Sequence, residues 1–319
     1  MDAIRLGIDL GGSKILALAL DESGQVLARA KCSTKGDGGY HKVLERIART
    51  AFECLDEVGA SVADPALTIG LGAPGPVLSD EGIILGAANL GWEREPLASD
   101  VGELLGGRRV ILGNDVNLGA LGECSYGAAA GMRSAFAAFM GTGLGGALVI
   151  DGQVVDGAHG IAGEFGHLPG PFDSATCGCG QIGCLETLAS KRGIERLLQV
   201  ARKQGLDVRV DLEKKKNLKA KHLLRAWQAE CPATRWALQQ SAEALGWGLG
   251  AVLAIADPAV FILGGGVLED LGEQLLPAVR QGMGRFAFLL QAGEPDLRLA
   301  ECGGDAVAIG AAVAAGRAA

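Results

Sequence analysis

The chain has 319 residues, 49% hydrophobic and 21% charged, enough apolar material for one large or two ordinary domains and too much for a disordered chain. Its formal net charge of −8 speaks against nucleic acid as the main partner. Aromatics reach only 4% while glycine occurs 51 times, which suits closely apposed strands and phosphate-hugging loops better than an aromatic core.

In chain order, Ile4 to Asp9 reads as a strand, Gly11-Gly12-Ser13-Lys14 as a glycine turn, and Ile15 to Leu20 as a second strand. A turn over Asp21 to Gly24 and a third strand over Gln25 to Ala28 follow. The opening apolar residues have no cleavage site behind them, so a cytoplasmic protein is expected. His41 to Val58 has helical spacing, with Val43, Leu44, Ile47, Ala51 and Leu55 on one side. Thr68 to Gly72 is a buried strand stopped by Ala73-Pro74-Gly75-Pro76. Val110 to Leu112 is another, with Asn114-Asp115 at its carboxyl end and a helix over Asn117 to Gly127.

The opening pattern then returns: Ala135 to Met140, a turn over Gly141-Thr142-Gly143-Leu144-Gly145-Gly146, and Ala147 to Ile150. Two halves that each begin with a hairpin bent around glycines imply a duplicated architecture with a cleft between the copies. Hairpin turns draw on few residue types, so resemblance by chance is the competing explanation. Residues 187–256 read as mostly helical, with Lys214-Lys215-Lys216 as a solvated face. The apolar stretch Ala244 to Leu268 is broken by Asp257-Pro258 and will not span a bilayer, so no membrane partner is expected. Ala259 to Leu263 is a late strand, Gly264-Gly265-Gly266 leads into a helix, and Asp305 to Ala315 is a helix of small residues fit to lie on something flat.

The chemistry concentrates in a few places. Cys177, Cys179 and Cys184 are three of eight cysteines, spaced by glycines, and His167 lies upstream. Three thiolates and an imidazole complete a closed tetrahedral zinc site. A disulfide between Cys177 and Cys179 is disfavoured by the single intervening residue. Such a metal would clamp Glu164 and Glu186 near one point, where they can accept hydrogen bonds from the hydroxyls of a sugar. As a glycosidase pair they make less sense, because phosphate turns have no task in glycoside cleavage.

The turn Gly11, Gly12, Ser13, Lys14 offers backbone amides to phosphate oxygens, and Asp9 can hold a hydrated magnesium ion. Together with Gly141, Thr142 and Gly143 it can grip one triphosphate, while Gly264, Gly265 and Gly266 let a nucleotide's base and ribose lie against backbone. Asp115 is the expected catalytic base, placed to accept a proton from a sugar hydroxyl as that oxygen attacks the γ-phosphoryl group. Asn-Asp after a strand also makes an ordinary helix cap.

These residues together resemble the ROK family of sugar kinases, in particular its zinc-containing bacterial glucokinases. The resemblance rests on Cys-Gly-Cys-Gly-x-x-Gly-Cys-x-Glu at 177–186, Glu-x-Gly-His at 164–167, Ile8 to Lys14, Gly141 to Gly146 and Ile262 to Val267. It implies an α/β, actin/hexokinase-like fold of two ribonuclease H-like domains around a central cleft. The expected division is a small domain over 1–114, completed by the helix 305–319, and a large domain over 115–304 with the zinc loop. It implies ATP, Mg2+ and structural Zn2+, with Asp115 as base and Gly72, Asn89, Asn114, Glu164, His167 and Glu186 around the sugar. His167 would be both zinc ligand and sugar neighbour. A homodimer or homotetramer is expected.

The sequence departs from the family where Asn89-Leu90-Gly91-Trp92 is one residue shorter than usual, and where Ala147 replaces a frequent glycine. The first reading is thus phosphorylation of glucose to glucose 6-phosphate. Fructose, mannose, N-acetylglucosamine and N-acetylmannosamine are alternative acceptors, and polyphosphate an alternative donor. The reading from another class is a sugar-sensing repressor, which would carry a helix-turn-helix before the first glycine turn, where only a handful of residues precede Gly7.

Overall fold

The structure is a computed structural model that describes residues 3–34, 39–87, 90–171, 175–210 and 218–319. Its elements begin with β1 (Arg5–Leu10), β2 (Lys14–Leu20), β3 (Val26–Ser33), α1 (Gly39–Glu57), β4 (Thr68–Ala73), β5 (Val77–Leu78), β6 (Ile83–Ile84) and α2 (Leu97–Leu104). There follow β7 (Val110–Asn114), α3 (Asp115–Tyr126), β8 (Ser134–Met140), β9 (Leu144–Ile150), β10 (Gln153–Val154), α4 (Lys191–Lys203) and α5 (Ala220–Gln228). The last are α6 (Pro232–Ala256), β11 (Val260–Gly264), α7 (Gly266–Met283), β12 (Leu297–Leu299) and α8 (Ala306–Arg317).

The duplication read from the glycine hairpins is visible in the sheets. One has the order β3-β2-β1-β4-β7 and the other β10-β9-β8-β11-β12, the same path traced twice. In the first, β1 pairs antiparallel with β2 and parallel with β4, and β4 runs parallel to β7. In the second, β11 runs parallel to both β8 and β12. The copies differ in length: β3 has eight residues and β10 two. The glycine turn after β8 is also tighter than the sequence implies, since Leu144 to Gly146 already belong to β9.

The chain forms two compact units, one comprising 1–133, 148–163 and 301–319, the other 134–147 and 164–300. The expected division after residue 114 differs from this, because α3 packs along α8 and stays in the first unit. In that unit β1, β4 and β7 are buried on both faces. Leu6, Ile8, Leu10, Ile69, Leu71 and Leu112 meet the apolar stripe Val43, Leu44, Ile47, Ala51 and Leu55 of α1. The other face takes α8, whose small residues let backbone meet backbone. A Cβ added at Gly70 of β4 would come within 2.0 Å of the Ala311 carbonyl oxygen, and one at Gly310 within 1.7 Å of the Leu118 oxygen in α3.

In the second unit α6 ends at Ala256, where Asp257 takes a left-handed backbone and β11 begins shortly after. Among the described residues no helix is long and apolar enough to cross a membrane. Lys214 to Lys216 lie outside the described residues.

A methyl group at Gly310 has no space to enter. Gly310→Ala is expected to lift α8 from α3 and cost about 1–3 kcal/mol, read as a lower thermal midpoint without loss of secondary structure before the transition.

Candidate active site and metal centre

In the first unit the turn between β1 and β2 is closed by its own backbone. The Gly11 N–H donates to the Lys14 carbonyl at 2.9 Å, and the buried Thr34 hydroxyl donates to the Gly11 carbonyl at 2.7 Å. Asp9, at the end of β1, is only 8% exposed. Burial pushes its carboxyl up to about 6, opposed by Lys14 and reinforced by Asp305. Lys14 Nζ stands 3.9 Å from the Asp9 carboxylate and donates to the Gly304 carbonyl at 3.3 Å. A buried carboxylate with one distant lysine is under-compensated, which is the setting in which an additional cation is favoured.

Asp115 opens α3 at the carboxyl end of β7. The capping is done by Asn114: its Oδ1 accepts the Asn117 N–H at 3.0 Å and its Nδ2 donates to the Gly75 carbonyl at 3.0 Å. The Asp115 Oδ1 accepts the Val116 N–H at 2.9 Å, and the side chain is half-buried. The cap function and the carboxylate are therefore carried by different residues. Asn117 is held in turn by Asp156, through Nδ2 to Oδ1 at 2.7 Å. Gly72 is buried in β4, and a Cβ there would stand 2.5 Å from Val307 Cγ1. Its glycine character thus answers to α8. Asn89 lies outside the described residues.

In the second unit the glycine motifs converge. Gly265 has φ +88°, and a Cβ on it would stand 2.7 Å from the Met140 backbone, immediately before Gly141. Gly266 is the first residue of α7 with open space beside it. The Gly141 carbonyl accepts the Lys191 N–H at 3.0 Å, tying the turn to the start of α4. A cavity of about 130 Å³ beside Thr142 is lined also by Cys177, Glu186, Ser190, Arg192 and Arg196. The two arginines were not anticipated from sequence; nothing local distinguishes them from any basic pair on an amphipathic helix.

The metal-ligand set does assemble. One ligand atom from each of His167, Cys177, Cys179 and Cys184 lies within 4.8 Å of all the others. Cys177 Sγ is 3.6 Å from His167 Nδ1, and Cys179 Sγ is 3.6 Å from Cys184 Sγ. Sulfurs about 2.3 Å from a tetrahedral zinc are about 3.8 Å apart, so the donor set fits that ion. Burial pushes the Cys177 thiol up to about 12 and raises Cys184, whereas the Gln181 N–H lowers exposed Cys179. A cation beside these sulfurs would favour the thiolate form that ligates metal.

His167 turns Nε2 toward Glu164, 3.8 Å from its carboxylate, and Nδ1 toward the sulfurs. The Glu186 Oε1 accepts from the Cys177 thiol at 2.9 Å. Its Oε2 lies where a Cβ on Gly143 would fall, 2.6 Å away, so the cysteine loop abuts the glycine turn.

The sign of the Asp9 shift gives a test. Its folded value lies above the ordinary 3.8, so the stability tied to this group is whole below about pH 4 and is lost as pH rises through about 6. In ligand-free protein Asp9→Asn is expected to match the parent near pH 4 and to exceed it by up to about 3 kcal/mol at pH 8, read by denaturant unfolding across that range.

The ROK family model matches residues 5–318. A glucokinase of Halalkalibacterium halodurans is 33% identical over 308 residues, covering 96% of this chain and 92% of that protein. The ROK hexokinase of Thermus thermophilus superposes with a TM-score of 0.80 at 33% identity, covering 98% of this chain and 97% of that one. A ROK glucokinase of Streptomyces griseus, solved with glucose and AMPPNP, superposes with a TM-score of 0.81 at 30% identity, covering 98% of this chain and 99% of that one.

Proposed function

The chain belongs to the ROK family and has its hexokinase-like fold, and from that premise we propose that it transfers the terminal phosphoryl group of ATP to glucose, giving glucose 6-phosphate. The observation that carries this reading is Asp115, a carboxylate at a strand end whose helix-capping duty has been taken over by Asn114. It takes the proton of the sugar's primary hydroxyl as that oxygen attacks the γ-phosphorus; the bond from phosphorus to the bridging oxygen breaks, and ADP leaves. The likeness to a glucokinase solved with glucose and AMPPNP supports the choice of sugar and donor.

The other residues take roles that suit their surroundings. Backbone N–H groups of 11–14 and 141–143 receive phosphate oxygens, and the approach at Gly265 and Gly266 receives the nucleoside. Asp9 would hold the magnesium ion that accompanies ATP, which neutralises charge on the phosphates. His167, Cys177, Cys179 and Cys184 would hold zinc, which fixes the loop. As a zinc ligand Cys177 would be a thiolate, with no proton to give Glu186 Oε1. That oxygen could then accept from a sugar hydroxyl; Asn114, Glu164 and His167 are the other residues given to the sugar in this proposal. Gly72 and Asn89 complete the sugar's surroundings in this proposal. The same reading places the chain in the cytoplasm, where thiols stay reduced, as a homodimer or homotetramer.

A coupled assay of ADP release over glucose, fructose, mannose, N-acetylglucosamine and N-acetylmannosamine tests the reading, with glucose expected to give the highest kcat/KM. No ADP release with any of them would overturn it.

Asp115→Asn is expected to lower kcat by about 10²–10⁴ while glucose still binds, measured by turnover and by calorimetric titration. Cys179→Ala is expected to lose zinc by elemental analysis and to weaken glucose binding in the same preparation. Full glucose affinity in a zinc-free sample would separate the loop from the sugar.

A further inference from the structure

The segment 301–305 is held at both ends by carboxylates. At its start the fully buried Glu123 of α3 accepts the Glu301 N–H at 3.1 Å and the Cys302 N–H at 2.8 Å. Its third backbone partner is the Ala128 N–H at 2.9 Å. At its end Asp305 receives both guanidinium arms of Arg29 from β3, Nη1 to Oδ1 at 2.7 Å and Nη2 to Oδ2. Between the two clamps lie Gly303, with φ +52°, and Gly304, whose carbonyl accepts from Lys14 Nζ at 3.3 Å. Lys14 also faces Asp9. Two carboxylates, Asp9 and Asp305, and two cations, Lys14 and Arg29, thereby meet around one glycine turn, with Arg29–Asp305 the close pair and Lys14–Asp9 the distant one.

We infer that Arg29 and Asp305 are positioning residues for Lys14: the pair fixes the carbonyl that aims the lysine, and Arg29 keeps the Asp305 charge from competing for it. The inference rests on the proposed phosphate role of the 11–14 turn. Neither residue needs to touch the nucleotide. The bidentate fork makes the pair directional. A lysine alone is a flexible point charge on four methylenes, so its aim must come from its surroundings. Removing Arg29 leaves an unpaired carboxylate facing Lys14 and the incoming phosphates. Removing Asp305 takes away the clamp but frees a guanidinium, whose charge attracts phosphate rather than repelling it.

That asymmetry separates positioning from mere stability. With ADP and ATP titrated calorimetrically into the full chain, Asp305→Asn is expected to raise Kd about threefold and Arg29→Gln about tenfold or more. In the double variant Asp305→Asn should relieve Arg29→Gln, returning Kd to the threefold level of the single. Glucose affinity should be unchanged in all three, and kcat at saturating ATP nearly so. A purely structural pair would instead make the double variant at least as impaired as the worse single, with thermal midpoint and both ligand affinities falling together; that outcome overturns the inference. Thermal melts on each variant show which are folded. Should Arg29→Gln fail to fold, Arg29→Lys replaces it, with a smaller rise in Kd expected and again relieved by Asp305→Asn. A chain that binds neither ADP nor ATP would sink the nucleotide reading itself, whereas unaltered Kd in Arg29→Gln would sink only the positioning role.

Discussion

Helix α8 lies on β1 and β4 so closely that main-chain atoms of helix and sheet are in contact, and much of the first unit depends on that approach. At Gly7, as at Gly70, an added Cβ would fall within about 2 Å of a helix carbonyl, at 1.8 Å from the Ala308 oxygen. Packing at this distance exchanges side-chain volume for dispersion contact along the backbone and fixes the helix in register as well as in place. The register matters because the five residues before α8 reach the β1–β2 turn. A shift of α8 by one residue would carry Gly304 away from Lys14 and Asp305 away from Arg29, and the charge balance around Asp9 would be lost. A C-terminal helix thus determines how an N-terminal turn is presented.

The second unit solves a related problem with a different device. There the close approach is between loops: Gly265 against the end of β8, and Glu186 against Gly143. Loops lack the repetitive hydrogen bonding that keeps a helix straight, so their mutual position needs another restraint. Four convergent donors, His167, Cys177, Cys179 and Cys184, are suited to supply it through a metal. Glu186 follows Cys184 by two residues, so whatever orders the sulfurs also restrains the carboxylate that rests on the glycine turn.

What could be read from the sequence follows the range of the interaction concerned. The two glycine hairpins, the buried strands, the amphipathic helix over α1 and the small-residue helix at the end are local patterns, and each is present with ends moved by a few residues. The His167 and cysteine cluster was legible because its members lie within one loop and their residue types permit little else. Gly72 is of another kind: only the family resemblance assigned it to the sugar, and its bare Cα faces Val307, a packing partner far along the chain. The two compact units differ from the expected division for the same reason, since the packing of α3 on α8 joins residues nearly two hundred positions apart. Arg29 and Asp305, separated by 276 positions, left no trace in either local pattern.

The two units share an electrostatic condition. In each, burial disfavours ionisation at a group the proposed chemistry needs charged: Asp9 in the first, Cys177 and Cys184 in the second. Natural cores avoid such groups unless a partner offsets the lost hydration. Around Asp9 the chain's own cation stands 3.9 Å off and is shared with a carbonyl, and around the two thiols no lysine or arginine contributes to the shift. A cation bound beside either group would offset the hydration lost there. Any cation that bound there would stabilise its folded unit by mass action.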